Sequence, residues 1–144
     1  MTSWGKKGTG PADLDSPHTI AIDSRGRLFV GDRGNNRIQI FDQEGRALET
    51  WIQFGRPSGI AISRNDMIYV ADSESWGPDQ PGWKKGIRIG SAKDGSLKYF
   101  IEDMESMTTE HSGAEGVGVD QQGNVYGAVV RRQMLEKHIP QDIK

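Results

Sequence analysis

The chain has 144 residues, which is enough for one domain with a substantial core and too few for two domains of ordinary size. Its 34% apolar content and 19 glycines favour short strands joined by turns over a bundle of long helices. A net charge of −2 gives no reason to expect nucleic acid or an anionic membrane as partner, and the lack of cysteine excludes disulfides and thiolate metal sites.

The N-terminal segment, residues 1–7, lacks the apolar stretch of a signal peptide, and no window of the sequence approaches the length of a transmembrane helix. We therefore expect the protein to be cytoplasmic and to have no membrane partner. An export segment present only in a longer precursor would leave no sign in this sequence.

Three segments further along the sequence are similar to one another. Pro17–Asp32 is echoed first by Pro57–Asp72 and then by Ala114–Val129. Each segment has the pattern of a strand, a polar turn and a second strand, and the first two continue into a third and a fourth strand. Four short antiparallel strands in about 40 residues are typical of one blade of a β-propeller.

The sequence thus predicts an all-β fold, a β-propeller with three four-stranded blades, and an ordinary β-sandwich or barrel is the alternative. The predicted blades are residues 17–54, 57–102 and 114–139, and residues 1–5 would supply the outer strand that the third blade lacks. Because three blades leave two terminal faces bare, we expect a C2 homodimer to close a six-bladed ring. The competing explanation is that the chain is a fragment of a longer protein.

The segment from Trp4 to Phe41, which contains Asn36-Arg37-Ile38, resembles NHL-repeat propellers. It resembles most the branch that contains the peptidyl-hydroxyglycine lyase of peptide amidation. In that lyase, histidines that follow proline at the start of inner strands hold a zinc ion in the central channel. An arginine that follows a second strand belongs to its active site. The resemblance therefore implies catalytic roles for His18 and Arg33, whereas the lyase's catalytic tyrosine and its three-histidine set have no counterpart here.

Ser58 and Glu115 occupy the positions in the second and third repeats that His18 occupies in the first. In a dimer, two copies of His18 and of Glu115 would line one channel mouth with Ser58 as a ligand-binding residue between them. Imidazole and carboxylate ligands suit Zn²⁺, and carboxylates suit Ca²⁺. We therefore expect a zinc or calcium site at His18 and Glu115; the alternative is that His18 caps a turn and Glu115 is solvated.

Blade two is about ten residues longer than blade one, and the surplus falls within residues 73–86. This loop leaves from the same strand end as Arg33 and contains Trp76, Trp83 and two prolines. We predict that it forms a fixed lid or ligand wall over that face, or else that the two tryptophans cover a neighbouring blade. Asp32 and Asp72, which end the second strands, are expected to accept backbone N–H groups of the following turns.

Two further residues are candidates for the same face. His111 lies in a polar loop that could reach it, and Arg131 follows the second strand of blade three. We expect Arg131 to be solvated, with binding of an anionic ligand as the alternative. Residues 131–138 could form a short helix, but the repeat predicts that residues 133–138 form the third strand of blade three.

These features predict an NHL-type propeller that binds a small polar ligand at the central channel face, with lyase-like or hydrolase-like activity. A divalent ion would polarise a substrate oxygen there, and Arg33 would hold an anionic group. The alternatives are a non-catalytic scaffold that binds a protein or peptide, and a half-propeller without chemistry. No nucleophile triad, phosphate loop or paired-acid spacing in the sequence specifies a reaction.

Overall fold

A computed structural model of the protein describes residues 1–78, 80–108 and 112–143, and within these ranges the protein is all-β. The first sheet contains strands β1 (Pro17–Ile22), β2 (Leu28–Asp32), β3 (Arg37–Phe41) and β4 (Ala47–Trp51). The second contains β5 (Gly59–Ile62), β6 (Met67–Asp72), β7 (Gly86–Ser91) and β8 (Leu97–Glu102). The third contains β9 (Gly116–Val119), β10 (Val125–Val129) and β11 (Met134–His138). Short 3₁₀ turns lie at Arg33–Asn35 and Pro140–Asp142.

All three sheets are antiparallel, and within each sheet neighbouring strands are consecutive in the sequence. The first strands of the three sheets also contact one another, β1 with β5 and β5 with β9, so the sheets follow each other like the blades of a propeller. The prediction of an all-β protein with three repeated sheets is confirmed, including strand β11 where a helix was the alternative. The third sheet has three strands in the described part of the protein.

The N-terminal residues lie against blade one in the single chain. Residues 1–5 form no strand, and the ring of Trp4 lies so close to Gly45 that a Cβ there would be 2.7 Å from it. Arg37 donates to the carbonyls of Thr9 and Gly10, each at 3.0 Å, which fixes the next part of the segment. Pairing of residues 1–5 with a β11 strand would therefore require a closed assembly.

Two hydrophobic clusters hold the sheets together. The cluster between blades one and two contains three aromatic rings, with the ring centroids of Phe29 and Trp51 5.4 Å apart and those of Trp51 and Phe54 5.8 Å apart. The cluster between blades two and three is built mainly from aliphatic side chains such as Ile87 and Val125. We call these the first and second junctions.

The aspartates at the ends of the second strands are buried and structural. Asp72 accepts backbone N–H groups of the following turn, as predicted, whereas the backbone N–H that Asp32 accepts comes from Asp15, before the strand. Asp32 accepts the Asp15 N–H at 2.6 Å and the Arg37 Nε–H at 2.7 Å. Asp72 accepts the backbone N–H of Ser75 at 2.8 Å and pairs with the Arg88 guanidinium at 2.9 Å. Both carboxylates therefore tie the strand end to the residues that follow it.

Each terminal blade leaves an apolar face uncovered in the single chain. Ile20 and Ile22 on β1 are 61% and 58% exposed, and Leu135 on β11 is 79% exposed. Among the described residues, no helix is long and apolar enough to cross a membrane.

Candidate ligand-binding face

The three residues predicted to face the channel stand at the starts of neighbouring inner strands. Pro17 pairs with Asp32 and Thr19 with Gly31, so His18 is an extra residue in a β-bulge. Its Nδ1 lies 2.9 Å from the Ser58 carbonyl oxygen, which can only accept a hydrogen bond. Nδ1 therefore carries the proton in the neutral ring, and Nε2 keeps its lone pair on an exposed side chain.

Ser58 and Glu115 help to hold neighbouring strands together, through both backbone and side-chain contacts. The Ser58 hydroxyl is buried and hydrogen-bonded to the Ser73 hydroxyl at 2.8 Å, so it is engaged within blade two. A Cβ at Gly59 would collide with the carbonyl oxygen of Glu115, so only glycine allows β5 and β9 to approach this closely. Glu115 itself is partly exposed.

These residues do not assemble a metal site within one copy of the protein. In the described ranges, no three side chains of histidine, aspartate or glutamate come close enough together to hold an ion. Within the described part of one copy, the zinc or calcium site expected at His18 and Glu115 therefore has no third ligand.

Arg33 instead belongs to a cluster that anchors the blade-two insertion to blade one. Its Nη1 lies 3.4 Å from Glu74 Oε1, and Arg56 Nε lies 2.5 Å from Glu74 Oε2. Arg56 also donates to the Arg33 carbonyl at 3.1 Å and to Asn36 Oδ1 at 2.9 Å. Glu74 is the second residue of the insertion, so two arginines hold its start in place.

Trp83, one of the residues predicted to form a ligand wall, packs against the Arg88 guanidinium. The Arg88 guanidinium lies 4.7 Å from the Trp83 ring centroid and 4.6 Å from that of Phe100. Burial lowers the pKa of Arg88, while the charge of Asp72 acts in the opposite direction. Trp83 therefore helps to enclose a buried ion pair, and Trp76 is half-buried in the same loop.

A groove of about 350 Å³ opens between blade one and the insertion. Its lining residues are Asn35, Asn36, Ile52, Gly55, Ser75, Gln80, Pro81 and Trp83. Gln80 Nε2 donates to Asn36 Oδ1 at 3.0 Å, whereas Gln80 Oε1 is buried without a hydrogen-bond partner in the described structure. Ile52 is 68% exposed at the rim. The groove therefore combines an unused acceptor with apolar surface.

Several of these residues are not evident from the sequence. Arg56 precedes Pro57 and Glu74 follows Asp72 by two positions, but nothing local indicates that they meet across two blades. Arg131 lies exposed in the turn after β10, and its neighbour Arg132 pairs with Asp103 at 2.7 Å. His111 lies outside the described residues.

Residues 14–41 of the protein match the family model described as NHL repeat. Human NHL repeat-containing protein 3 is 52% identical over 54 residues, which are 35% of this chain and 16% of that protein. Protein lin-41 of Caenorhabditis elegans is 49% identical over 45 residues, 31% of this chain and 4% of that one. The rat E3 ubiquitin-protein ligase TRIM71 is 42% identical over 41 residues, 28% of this chain and 5% of that one. The matched segments thus span less than a fifth of the length of these relatives.

Two solved structures are similar over most of the protein. Hydrazine synthase of Kuenenia stuttgartiensis has a TM-score of 0.54 at 18% identity, covering 89% of this chain and 38% of that one. U3-55K has a TM-score of 0.56 at 16% identity, covering 90% of this chain and 39% of that one. At such identities the likeness shows the propeller-like fold alone. The lyase branch is not identified by any of these comparisons.

Proposed function

We propose that this protein is a propeller scaffold that binds an extended protein segment in the groove between blade one and the blade-two insertion. The observation that carries the proposal is the buried Gln80 Oε1, an acceptor without a partner in the described structure, beside the exposed Ile52. A ubiquitin ligase among the relatives acts on proteins by its name, which favours a protein partner over a small molecule.

A buried acceptor without a partner costs about 1–3 kcal/mol, and rotation of the Gln80 amide towards the groove on binding would let a peptide N–H recover this cost. An aliphatic side chain of the same segment would pack on Ile52 and Pro81 at the rim. The Arg33–Glu74–Arg56 cluster keeps the insertion in one position, so little conformational entropy is lost on binding. Arg33 is then a positioning residue and contacts no substrate.

The test is selection from a displayed library of short random peptides against the purified protein, followed by affinity measurements on variants. Ile52→Asp should weaken the selected peptides at least about tenfold, because it places a charge where an apolar side chain packs. Leu48→Asp, an equally drastic change at a 48% exposed position of β4, is the matched control and should bind normally. Absence of selected peptides, or equal binding by the two variants, would refute the proposal.

The scaffold also needs a cover for its two bare faces, and we infer that a second copy supplies it by closing a six-bladed ring. The β1 face with Ile20 and Ile22 would meet the partner's β11 face, and residues 1–5 would pair with the partner's third blade. Light scattering should give twice the mass of one chain, falling to the single mass for Leu135→Asp but not for Leu97→Asp on outer strand β8. A stable, non-aggregating monomer would overturn the dimer and point to further blades of a longer protein.

A second candidate function depends on this ring, namely a small polar ligand held with Zn²⁺ or Ca²⁺ at the channel mouth. The Ser58 carbonyl fixes the His18 ring as backbone carbonyls fix metal-binding histidines, and this contact supports it. Elemental analysis of the purified protein should then find about one ion for each dimer and none in His18→Gln. The same metal content in both proteins, or none in either, would remove this candidate.

A further inference from the structure

The end of the propeller opposite the insertion carries three equivalent hairpin turns, which together we call the turn face: 23–27, 63–67 and 120–124. Asp23 and Asp120 each accept two backbone N–H groups of their own turn at 2.8–3.0 Å. The fourth residue of each turn is left-handed, with φ of 79° at Gly26, 59° at Asp66 and 82° at Gly123. The three turns therefore have the same backbone conformation and differ in their side chains.

The side chains of the turns bridge the first junction and leave a groove at the second. At the first junction Ser24 donates its N–H and its hydroxyl to the Asp66 carboxylate at 2.9 and 2.5 Å. At the second junction the residues in the same two positions are Arg64 and Gly123, so there is no carboxylate to bridge the turns. A groove of about 580 Å³ lies there between blades two and three.

The charged groups of this groove are not paired with each other. Within the ranges that the structure describes, the exposed Arg64 side chain makes no hydrogen bond or ion pair. The Asp120 carboxylate is occupied by its own turn, because Oδ2 accepts from Asn124 Nδ2 at 2.7 Å and from the Tyr126 hydroxyl at 3.0 Å. The hydrogen bonds of Asn124 lower the pKa of Asp120. Arg64 is thus a cation at the rim without a counter-ion among the described residues.

The remaining lining supplies amides and an apolar floor. Asn65, Gln121 and Gln122 present side-chain amides, which bind peptide backbone in either direction of the hydrogen bond. Tyr69 and Val119, which both pack in the second junction, form the floor, whereas the Ile62 side chain packs against the core of the first junction. The volume lies within the usual range of about 300–1,000 Å³ for ligand sites.

We propose that this groove binds the carboxylate of a peptide segment that also carries an aliphatic side chain. The carboxylate pairs with Arg64, the peptide backbone contacts the amides, and the aliphatic group lies on Tyr69 and Val119. The carboxylate belongs either to an acidic side chain or to the C-terminus of a polypeptide. The site lies on the face opposite Gln80 and Ile52 and does not depend on the function proposed for them.

Titration of the intact protein by two-dimensional amide NMR tests the proposal with three blocked dipeptides. These probes are N-acetyl-Leu-Leu with a free C-terminus, N-acetyl-Leu-Asp amide and the neutral N-acetyl-Leu-Leu amide. At least one charged probe should shift the Val119 and Gln121 resonances, and the better of the two identifies the source of the carboxylate. Equal binding of the neutral probe, or no shift up to millimolar concentration, would overturn the proposal.

Variants of the turn face separate binding by Arg64 from a general charge effect. Arg64→Gln should weaken the charged probe at least about tenfold, whereas Arg25→Gln, an exposed arginine of the first turn, should leave it unchanged. Gly123→Asp should also abolish binding, because it puts a carboxylate in the position of Asp66 and within reach of Arg64. A Cβ at Gly123 has ordinary clearance, 3.6 Å from Pro140 Cγ. Normal binding by Arg64→Gln or by Gly123→Asp would contradict the inference, whatever happens at Ile52.

Discussion

The two junctions between blades have the same backbone arrangement, but the side chains at their surfaces make different contacts. At the first, polar groups cross from blade to blade: Ser24 bonds to Asp66, and Arg27 donates to the Ala92 carbonyl at 2.6 Å. At the second, the turn face has Arg64, unpaired among the described residues, and an open groove. Repetition of the blade therefore fixes where strands lie, while single residues in the turns decide whether neighbouring blades leave room for a ligand.

The hydrophobic cores of the two junctions differ as well. Three stacked or edge-packed aromatic rings fill the first, whereas the second is mainly aliphatic. On the insertion face, ion pairs cross both junctions: Arg33 and Arg56 reach Glu74 at the first, and Arg132 reaches Asp103 at 2.7 Å at the second. The difference between the junctions is therefore confined to their cores and to the turn face.

The comparison predicts its largest effect on stability when a buried side chain is removed from the core of the first junction. Phe54→Ala should lower the free energy of unfolding by about 3–5 kcal/mol, because it removes a fully buried ring from the Trp51 stack. Ile89→Ala, the same truncation to Cβ at the second junction, should cost about 2–3 kcal/mol because no aromatic stack is broken there. Urea unfolding followed by tryptophan fluorescence and by circular dichroism measures both, and equal losses would show that the junctions do not differ in this way.

A smaller test compares equivalent turn positions. Ser24→Ala should cost about 1–2 kcal/mol, since it removes a hydroxyl that donates to a buried carboxylate. Arg64→Ala, at the equivalent position of the next turn, should change the unfolding free energy little because Arg64 has no partner to lose in the described structure. A similar cost for the two substitutions would contradict the distinction between a closed and an open junction.

The difference in unfolding free energy between the wild type and Ser24→Ala should also depend on pH. Hydrogen bonds from Ser24 hold the pKa of Asp66 below its ordinary value. A carboxyl whose pKa is lowered by folding stabilises the native state above its unfolded pKa of about 3.9, and this stabilisation is lost as the pH falls through the folded value. Unfolding curves at pH 7 and pH 3 should therefore show the difference between the two proteins shrinking at the lower pH, and a constant difference would exclude this role of Asp66.

The sequence predicts the parts of this picture that depend on local pattern. Strand alternation and the three repeats define the sheets, and Asp32 and Asp72 follow their strands closely enough for their structural role to be expected. The Glu74 cluster, the contact of His18 with the Ser58 carbonyl and the groove at Arg64 join residues from different blades. Their distances depend on how far one blade is rotated from the next, and neither residue type nor spacing within one repeat contains that angle.

The most discriminating substitution is the one with the smallest effect on stability. Gly123→Asp restores the acceptor that Asp66 provides at the first junction, but an exposed pair with Arg64 contributes only about 0–1 kcal/mol. Part of that gain is offset because aspartate, unlike glycine, is strained at φ of 82°, although Asp66 tolerates 59° in the same turn position. The measurement is therefore a double-mutant cycle between Gly123→Asp and Arg64→Ala, in which the pair's interaction appears as the non-additive part of the unfolding free energy. A favourable coupling would show that one side chain separates a closed junction from an open one, whereas strict additivity would mean that the blades themselves stand further apart at the second junction.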